Sequence, residues 1–300
     1  MDALLQKTLN ETIAKINGSY ILSSRTKRVY IQQAIDAANK QLSQNRLVSR
    51  SLSFSVKRAL LIGCNYNGTS NQLYGCMDDA HNMKDFLQSK CGFTQFTVLT
   101  DNTTMKPNKQ NILNQFIQLL SQTAAGDTAF FQFSGHGMGF MDTNGDENDG
   151  QDELIVPLDA CSIMDCILDD EFRAIIDRHL RPGAKLLALF DCCHSGSALD
   201  LKFTYGQPDN SVKETVGDVF MISGCTDQQQ SMDTVAMING QTKPTGAMTY
   251  AFLNCIKPGS NQPMQTLITE MNTFLKGNGY SQIPRLSFGK RVDFSSVPFL

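Results

Sequence analysis

The chain has 300 residues, of which 41% are hydrophobic and 18% are charged, and its formal net charge at neutral pH is −3. This composition is typical of a globular protein with a sizeable core, and the length allows one large or two modest domains. The slightly acidic charge favours neither nucleic acid nor a membrane surface as a partner, and no apolar run is long enough to cross a bilayer. The N-terminus lacks the basic start and apolar stretch of a secretion signal, so we expect a cytoplasmic protein whose nine cysteines are reduced thiols.

Residues 1–55 are predicted to form an N-terminal accessory segment or pro-segment. Amphipathic helical patterns cover residues 3–16 and 29–42, and a serine-rich, linker-like stretch occupies residues 49–55. Basic side chains cluster near the end of the segment, at Arg46, Arg50, Lys57 and Arg58. Residues 56–300 are predicted to form the main domain.

In the main domain, short apolar runs alternate with helical patterns. Strands are predicted at residues 58–64, 96–99, 127–133, 153–158, 185–190, 218–222 and 284–288, and helices at 109–122, 169–179, 246–256 and 264–274. A further helix is predicted to begin around Asp78 and Asp79, which suit the helix dipole, and to end near residue 89. The alternation predicts an α/β fold, a three-layer sandwich with a mostly parallel central sheet and helices on both faces.

Two of the predicted strands end in residues that can carry chemistry. The run at 185–190 leads into Asp191, Cys192 and Cys193, and the run at 128–133 leads into Ser134 and His136. Side chains at the carboxyl ends of parallel strands project into the crevice beyond the sheet, where a thiol and an imidazole can act as nucleophile and base. Because successive side chains of a strand alternate in direction, only one of the two adjacent thiols can face that crevice.

These motifs, with others in the same order along the chain, resemble those of metacaspases, the cysteine peptidases of the caspase-like clan. The resemblance extends from about residue 56 to the C-terminus and implies a caspase-like fold. The short distance between Cys193 and the next strand end at Ser223 resembles type I metacaspases, although the Pro-rich N-terminal extension of that type is missing. The segments that carry the resemblance are 75–80, 134–137, 149–153, 156–159, 168–171, 191–197, 223–227 and 246–252.

The resemblance implies a role for each residue at the two strand ends. Cys193 is similar to the family's nucleophile and His136 to its base, while Cys192 and His194 are interpreted as structural. The backbone amides of Gly137 and Cys193 would form an oxyanion hole. A Cys–His dyad needs no third, orienting acid, because a thiol is partly ionised near neutral pH.

Three further residues correspond to the family's pocket for the substrate residue before the cut: Asp79, Ser134 and Asp191. Two carboxylates in a narrow pocket attract a guanidinium or ammonium group and repel an acid. We therefore expect cleavage after Arg or Lys and not after Asp. The alternative for Asp79 is that it only stabilises the first turn of its helix.

Four acids, Asp152, Asp169, Asp170 and Asp200, match the family's calcium ligands and imply Ca²⁺ as the cofactor. Carboxylates without thiol or imidazole favour a hard cation, and calcium tolerates irregular loops. Asp169 and Asp170 alone could mark the start of a helix. The stretch 142–153 also places oxygens as an EF-hand loop does, but Glu147 replaces the sixth-position glycine and strands flank it, so we interpret it as a solvated acidic loop that could assist calcium.

The sequence therefore predicts a calcium-activated cysteine endopeptidase that cleaves protein or peptide substrates after Arg or Lys through an acyl-enzyme. The basic cluster Arg46, Arg50, Lys57 and Arg58 and the predicted loop residues Lys202 and Lys213 are candidate self-cleavage points. The alternative is a non-proteolytic adaptor or protein-quality-control factor on the same fold, and a redox sensor using Cys192 and Cys193 is a third reading. A monomer is expected.

Overall fold

The computed structural model describes residues 3–19, 23–52, 55–141, 151–193, 197–204, 207–224, 233–238 and 241–300. The chain divides into two compact units, Met1–Ser55 and Val56–Leu300. The described part of the first unit contains α1 (Ala3–Gly18) and α2 (Ser24–Leu52). The predicted linker is therefore wrong over residues 49–52, where leucine and arginine favour the helix and serine opposes it only weakly.

The second unit contains the predicted α/β sandwich. Its elements are β1 (Lys57–Gly63), α3 (Cys76–Lys90), β2 (Gln95–Thr100), α4 (Lys109–Gln122), β3 (Thr128–Ser134), β4 (Gly137–Met141), β5 (Gln151–Ile155), β6 (Ile167–Leu168), α5 (Asp169–His179), β7 (Lys185–Asp191), β8 (Phe203–Thr204), β9 (Gln207–Pro208), β10 (Asp218–Ser223), β11 (Asp233–Ile238), β12 (Gln241–Gly246), α6 (Ala247–Cys255), α7 (Met264–Gly277) and β13 (Arg285–Phe288). None of the described helices is both long and apolar enough to span a membrane.

The central sheet has eight strands in the order β2-β1-β3-β7-β10-β13-β8-β9. The first five are parallel, and β13, β8 and β9 are added antiparallel at one side. The expectation of a mostly parallel sheet is thus confirmed. Parallel pairing is possible because helical crossovers bury both faces of the apolar strands.

Each face of the sheet has its own core. Alternate side chains of β3 point to opposite faces, so Phe131 packs with Phe116 of α4 and Phe172 of α5 at ring distances of 5.0 and 5.5 Å. On the other face Phe130 packs near Phe252 of α6, in a cluster shared with α3 and α7. The helices on both faces were predicted, and this burial fixes the register of the strands between them.

Two smaller sheets extend the strand ends. β4, β5 and β6 form an antiparallel sheet directly after the His136 loop, and β11 and β12 form a hairpin before α6. The strand predicted at 153–158 is wrong at both ends, because β5 covers 151–155 and Pro157 provides no amide for a further ladder bond. The sequence analysis predicted neither β4 nor the hairpin, whose residues show little apolar alternation.

Candidate active site

The thiol and the imidazole emerge from neighbouring strands. β3 and β7 pair in parallel with Ser134 opposite Asp191, so His136 and Cys193 each follow two residues beyond the same rung of the ladder. The amide of Gly135 donates a hydrogen bond to the Asp191 carbonyl at 3.4 Å, which continues the pairing to the loop. The two chains therefore leave the sheet side by side.

Gly137 lets the two loops approach each other closely. A Cβ atom at this position would lie 2.1 Å from the carbonyl oxygen of Cys193 and 3.1 Å from Sγ of Cys192. Any side chain would push the loops apart, so the approach requires glycine. Cys192 is fully buried, whereas Cys193 is partly exposed, as the alternation of side chains along a strand predicts.

His136 is held through one ring nitrogen and through its backbone. Its Nε2 lies 2.7 Å from the carbonyl oxygen of Asn71, its backbone amide donates to the hydroxyl of Tyr66 at 2.9 Å, and its carbonyl accepts from the Val156 amide at 3.0 Å. A carbonyl oxygen can only accept, so Nε2 carries the proton and Nδ1 of the neutral ring is the basic nitrogen. The sequence analysis missed Asn71, because a backbone carbonyl leaves no trace in residue identity.

The three predicted pocket residues lie around the same end of the sheet. Ser134 ends β3, Asp191 ends β7 and Asp79 lies in the first turn of α3. Asp79 and Asp191 are 0% and 3% exposed, respectively, as whole residues. Two carboxylates this deeply buried need strong compensation, from hydrogen bonds and from positive charge or dipoles.

The start of α6 provides part of that compensation. Asp79 accepts hydrogen bonds from the Thr245 hydroxyl and from the Gly246 amide, the latter at 2.9 Å, and Asp191 accepts from the Thr249 amide at 2.7 Å. The N-terminal end of a helix carries partial positive charge and free amides, so it stabilises carboxylates. A Cβ at Gly246 would lie 2.1 Å from a carboxylate oxygen of Asp191, so only glycine fits there.

A buried amide connects this helix start to the pocket wall. Nε2 of Gln132 donates to the hydroxyl oxygens of Ser134 and Thr249, each at 3.2 Å, and Gln132 is completely buried. The residues at the start of α6 and Gln132 are the functional neighbours that the sequence analysis did not identify. The only indication of these neighbours in the sequence was the motif at 246–252, and a sequence motif does not reveal which atoms its residues contact.

The predicted calcium ligands lie around the start of α5. Oδ2 of Asp169 accepts from the Glu153 amide at 3.0 Å, and Oδ1 accepts from the Asp170 amide at 2.8 Å. Because Leu154 pairs with Leu168, the backbone at 152 lies at the end of β5 that faces this helix start. The side chain of Asp152 lies outside the described residues.

Carboxylates alone suit a hard cation, but the described carboxylates at the start of α5 and at Asp200 do not form a cluster. Among the described side chains, no group of three metal ligands is close enough to hold an ion. Arg173 donates to the Asp200 carbonyl at 2.5 Å and its guanidinium lies 4.0 Å from the Asp200 carboxylate. Asp200 is therefore paired with an arginine in this conformation.

The remaining predicted positions differ in accessibility. Arg58 is buried in β1 and pairs with Asp127 at 2.8 Å, whereas Lys213 is exposed in the loop before β10. Lys202 lies before β8 and donates to two loop carbonyls. Of the others, Lys57 begins β1, and Arg46 and Arg50 lie in α2. His194 and the acidic loop at 142–150 lie outside the described residues.

Known proteins share both the sequence pattern and the fold. The family model of the metacaspase peptidase C14 domain matches residues 57–202. The chain is 35% identical to Metacaspase-1 of Meyerozyma guilliermondii over 80% of this chain and 71% of that protein, and 33% identical to Metacaspase-2 of Trypanosoma brucei brucei over 90% and 84%. Protein GSU0716 of Geobacter sulfurreducens has a similar fold, with a TM-score of 0.59 at 22% identity, covering 81% of this chain and 97% of that one. The chain therefore belongs to the metacaspases, the caspase-like cysteine endopeptidases of the peptidase C14 group.

Proposed function

We propose that this chain is a calcium-activated cysteine endopeptidase that cuts after Arg or Lys, with Cys193 as nucleophile and His136 as base. The observation that supports the proposal is the pairing of Ser134 with Asp191, because the loops that carry His136 and Cys193 then leave the same edge of the sheet from neighbouring strands. A role in binding alone would require neither a partly exposed thiol nor an oriented imidazole beside it.

The chemistry follows from the orientation of the imidazole. Nδ1 of His136 takes the thiol proton as Sγ of Cys193 attacks the substrate carbonyl carbon, and the resulting oxyanion accepts hydrogen bonds from the amides of Gly137 and Cys193. The peptide C–N bond then breaks, and the amine leaves with the proton from Nδ1. Water, deprotonated by the same nitrogen, attacks the thioester and releases the acid and the thiol.

The selection of Arg or Lys is supported by the charge of the pocket. Asp79 and Asp191 are buried and accept hydrogen bonds from backbone amides at the start of α6. The two carboxylates would attract a substrate guanidinium or ammonium group, whereas they would repel an acidic side chain.

Calcium is proposed to bind at Asp152, Asp169, Asp170 and Asp200. When bound, it would supply positive charge that holds the loops around the start of α5 together. The chain would supply the carboxylates of Asp169 and Asp170 at that helix start, together with Asp200. On binding calcium, the Asp200 carboxylate would leave its contact with Arg173 and contact the ion instead. Self-processing is proposed at the candidate basic residues, of which Lys213 is the exposed one in the main domain. No disulfide links the eight described cysteines, which supports the proposed cytoplasmic location. The protein is also proposed to be a monomer.

The test uses matched fluorogenic peptides that end in Arg, Lys or Asp, with and without millimolar calcium. We expect release from the Arg and Lys peptides only, dependent on calcium and abolished in Cys193→Ala. Asp169→Asn should raise the calcium requirement, and the exposed Asp85→Asn serves as the control acid. Cleavage after Asp would contradict the pocket, and inactivity of the folded protein under all conditions would favour the adaptor.

A further inference from the structure

The loop after β1 encloses one side of the histidine, and Tyr66 lies at its centre. The Tyr66 hydroxyl accepts a hydrogen bond from the His136 amide at 2.9 Å and donates one to the Val156 carbonyl at 2.6 Å. The ring of Tyr66 lies against the imidazole, with 4.8 Å between ring centroids and an angle of 33° between planes. One side chain thus contacts the histidine through its ring and through its hydroxyl.

The backbone of Tyr66 adopts an unusual conformation for this purpose. Its φ is +53°, in the left-handed region that residues other than glycine rarely adopt. Strain of this kind persists only where surrounding contacts fix it, and it is concentrated at functional sites. The strain at Tyr66 therefore points to a function for the orientation of its side chain.

Asp101 holds the strained segment on both sides. Its carboxylate accepts from the amide of Asn65 at 2.8 Å and from the amide of Asn67 at 2.9 Å, so the two residues that flank Tyr66 are bonded to one buried side chain. The Tyr66 carbonyl accepts from both the amide and the hydroxyl of Thr69. The same loop continues to Asn71, whose carbonyl fixes the tautomer of the imidazole.

The hydroxyl of Tyr66 is suited to this double role. Burial, with nearby thiols, holds the pKa of the phenol well above its ordinary value, so the group stays protonated and can donate and accept at once. Gly135 allows the approach, since a Cβ there would lie 2.8 Å from the hydroxyl oxygen. Phenylalanine would keep the ring contact but lose both hydrogen bonds.

We propose that Tyr66, clamped by Asp101, is a positioning residue that holds the His136 ring in the orientation in which Nε2 donates to the Asn71 carbonyl and Nδ1 serves as the base. The inference rests on the proposed function, because it assigns His136 the role of the base. It predicts that loss of the hydroxyl weakens proton transfer and leaves substrate binding and the fold largely intact.

The test compares Tyr66→Phe with Tyr30→Phe, a matched control in α2 of the other unit, and with Asp101→Asn, which loosens the clamp and keeps the tyrosine. We expect Tyr66→Phe to lower kcat by about 10- to 100-fold with KM within about twofold. Asp101→Asn should also lower kcat, by a smaller factor, with KM again within about twofold. Thermal unfolding, followed by circular dichroism, should remain cooperative in Tyr66→Phe, with a melting temperature lowered by the loss of the two hydrogen bonds.

A second readout does not depend on cleavage. Alkylation of Cys193 by iodoacetamide, followed by mass spectrometry between pH 5 and 9, should be several-fold slower near neutral pH in Tyr66→Phe, with the exposed Cys161 unchanged as internal reference. An unchanged Cys193 profile, or an unchanged kcat in an active protein, would overturn the inference. If wild type cleaves nothing, the proposed function fails, while the alkylation profile still decides the role of Tyr66.

Discussion

Replacement of Asp79 by Asn asks whether the buried acid pair binds the substrate's positive charge. Asn has nearly the same size and keeps one oxygen that can accept from the Thr245 hydroxyl or the Gly246 amide, but it removes the charge. A hydrogen bond to a charged group contributes about 1.5–3 kcal/mol. Because about 1.4 kcal/mol corresponds to a factor of ten, kcat/KM for an Arg peptide should fall by roughly 10- to 150-fold.

Citrulline provides the sharpest assay, since it has the shape of arginine without the charge. Wild type should prefer the Arg peptide to the citrulline peptide, and Asp79→Asn should lose most of that preference. Thr245→Val is the matched control, because it removes one hydrogen bond to Asp79 and leaves the charge; we expect a loss of about 1–2 kcal/mol in unfolding free energy with the preference retained. A folded Asp79→Asn protein with the wild-type preference would refute this view of the pocket.

Three other predictions concern stability and packing. Asp127→Asn leaves the guanidinium of Arg58 buried without its partner and should cost about 3–5 kcal/mol in urea unfolding, so a loss below about 1 kcal/mol would contradict the pairing. Gly246→Ala places a methyl group against the Asp191 carboxylate, so it should abolish cleavage and lower the free energy of unfolding by about 1–3 kcal/mol. The control Gly277→Ala has open space around it and should have neither effect. An active Gly246→Ala enzyme would disprove the contact. Burial raises the pKa of the Cys255 thiol to about 11 from an unfolded value near 9, so its contribution to stability is complete below about pH 9 and is lost as the pH rises towards 11. Thermal melts of wild type and Cys255→Ala across this range check the sign, and an identical pH dependence of the two would contradict it.

The parallel sheet and the placement of Cys193 and His136 just beyond its strand ends could be predicted from the sequence, because both depend on local patterns. The apolar runs that became β3 and β7 specify buried strands, and the residues that follow each run must emerge at the same sheet edge once the strands are parallel. The pattern does not reveal that β3 and β7 are neighbours in the sheet, because that pairing joins strands separated by β4, β5, β6 and α5 in the chain.

The surroundings of the site could not be predicted, because they depend on contacts between distant segments. Asn71 acts through its backbone carbonyl, and Tyr66 through a backbone conformation that residue identity does not reveal. The Gly246 amide, just before α6, donates to Asp79 across 167 positions of sequence. The short strands around the site also lack the apolar alternation that identifies strands in a sequence.

The most direct measurement of the central claim is covalent labelling by peptidyl chloromethyl ketones, one ending in Arg and one in Asp, followed by intact mass and peptide mapping. The account predicts one added Arg inhibitor per chain, attached to Cys193, with little reaction from the Asp reagent. Labelling should be lost in Cys193→Ala and slowed in His136→Ala. Modification of another cysteine, or equal labelling by both reagents, would contradict the assignment of the nucleophile or of the pocket.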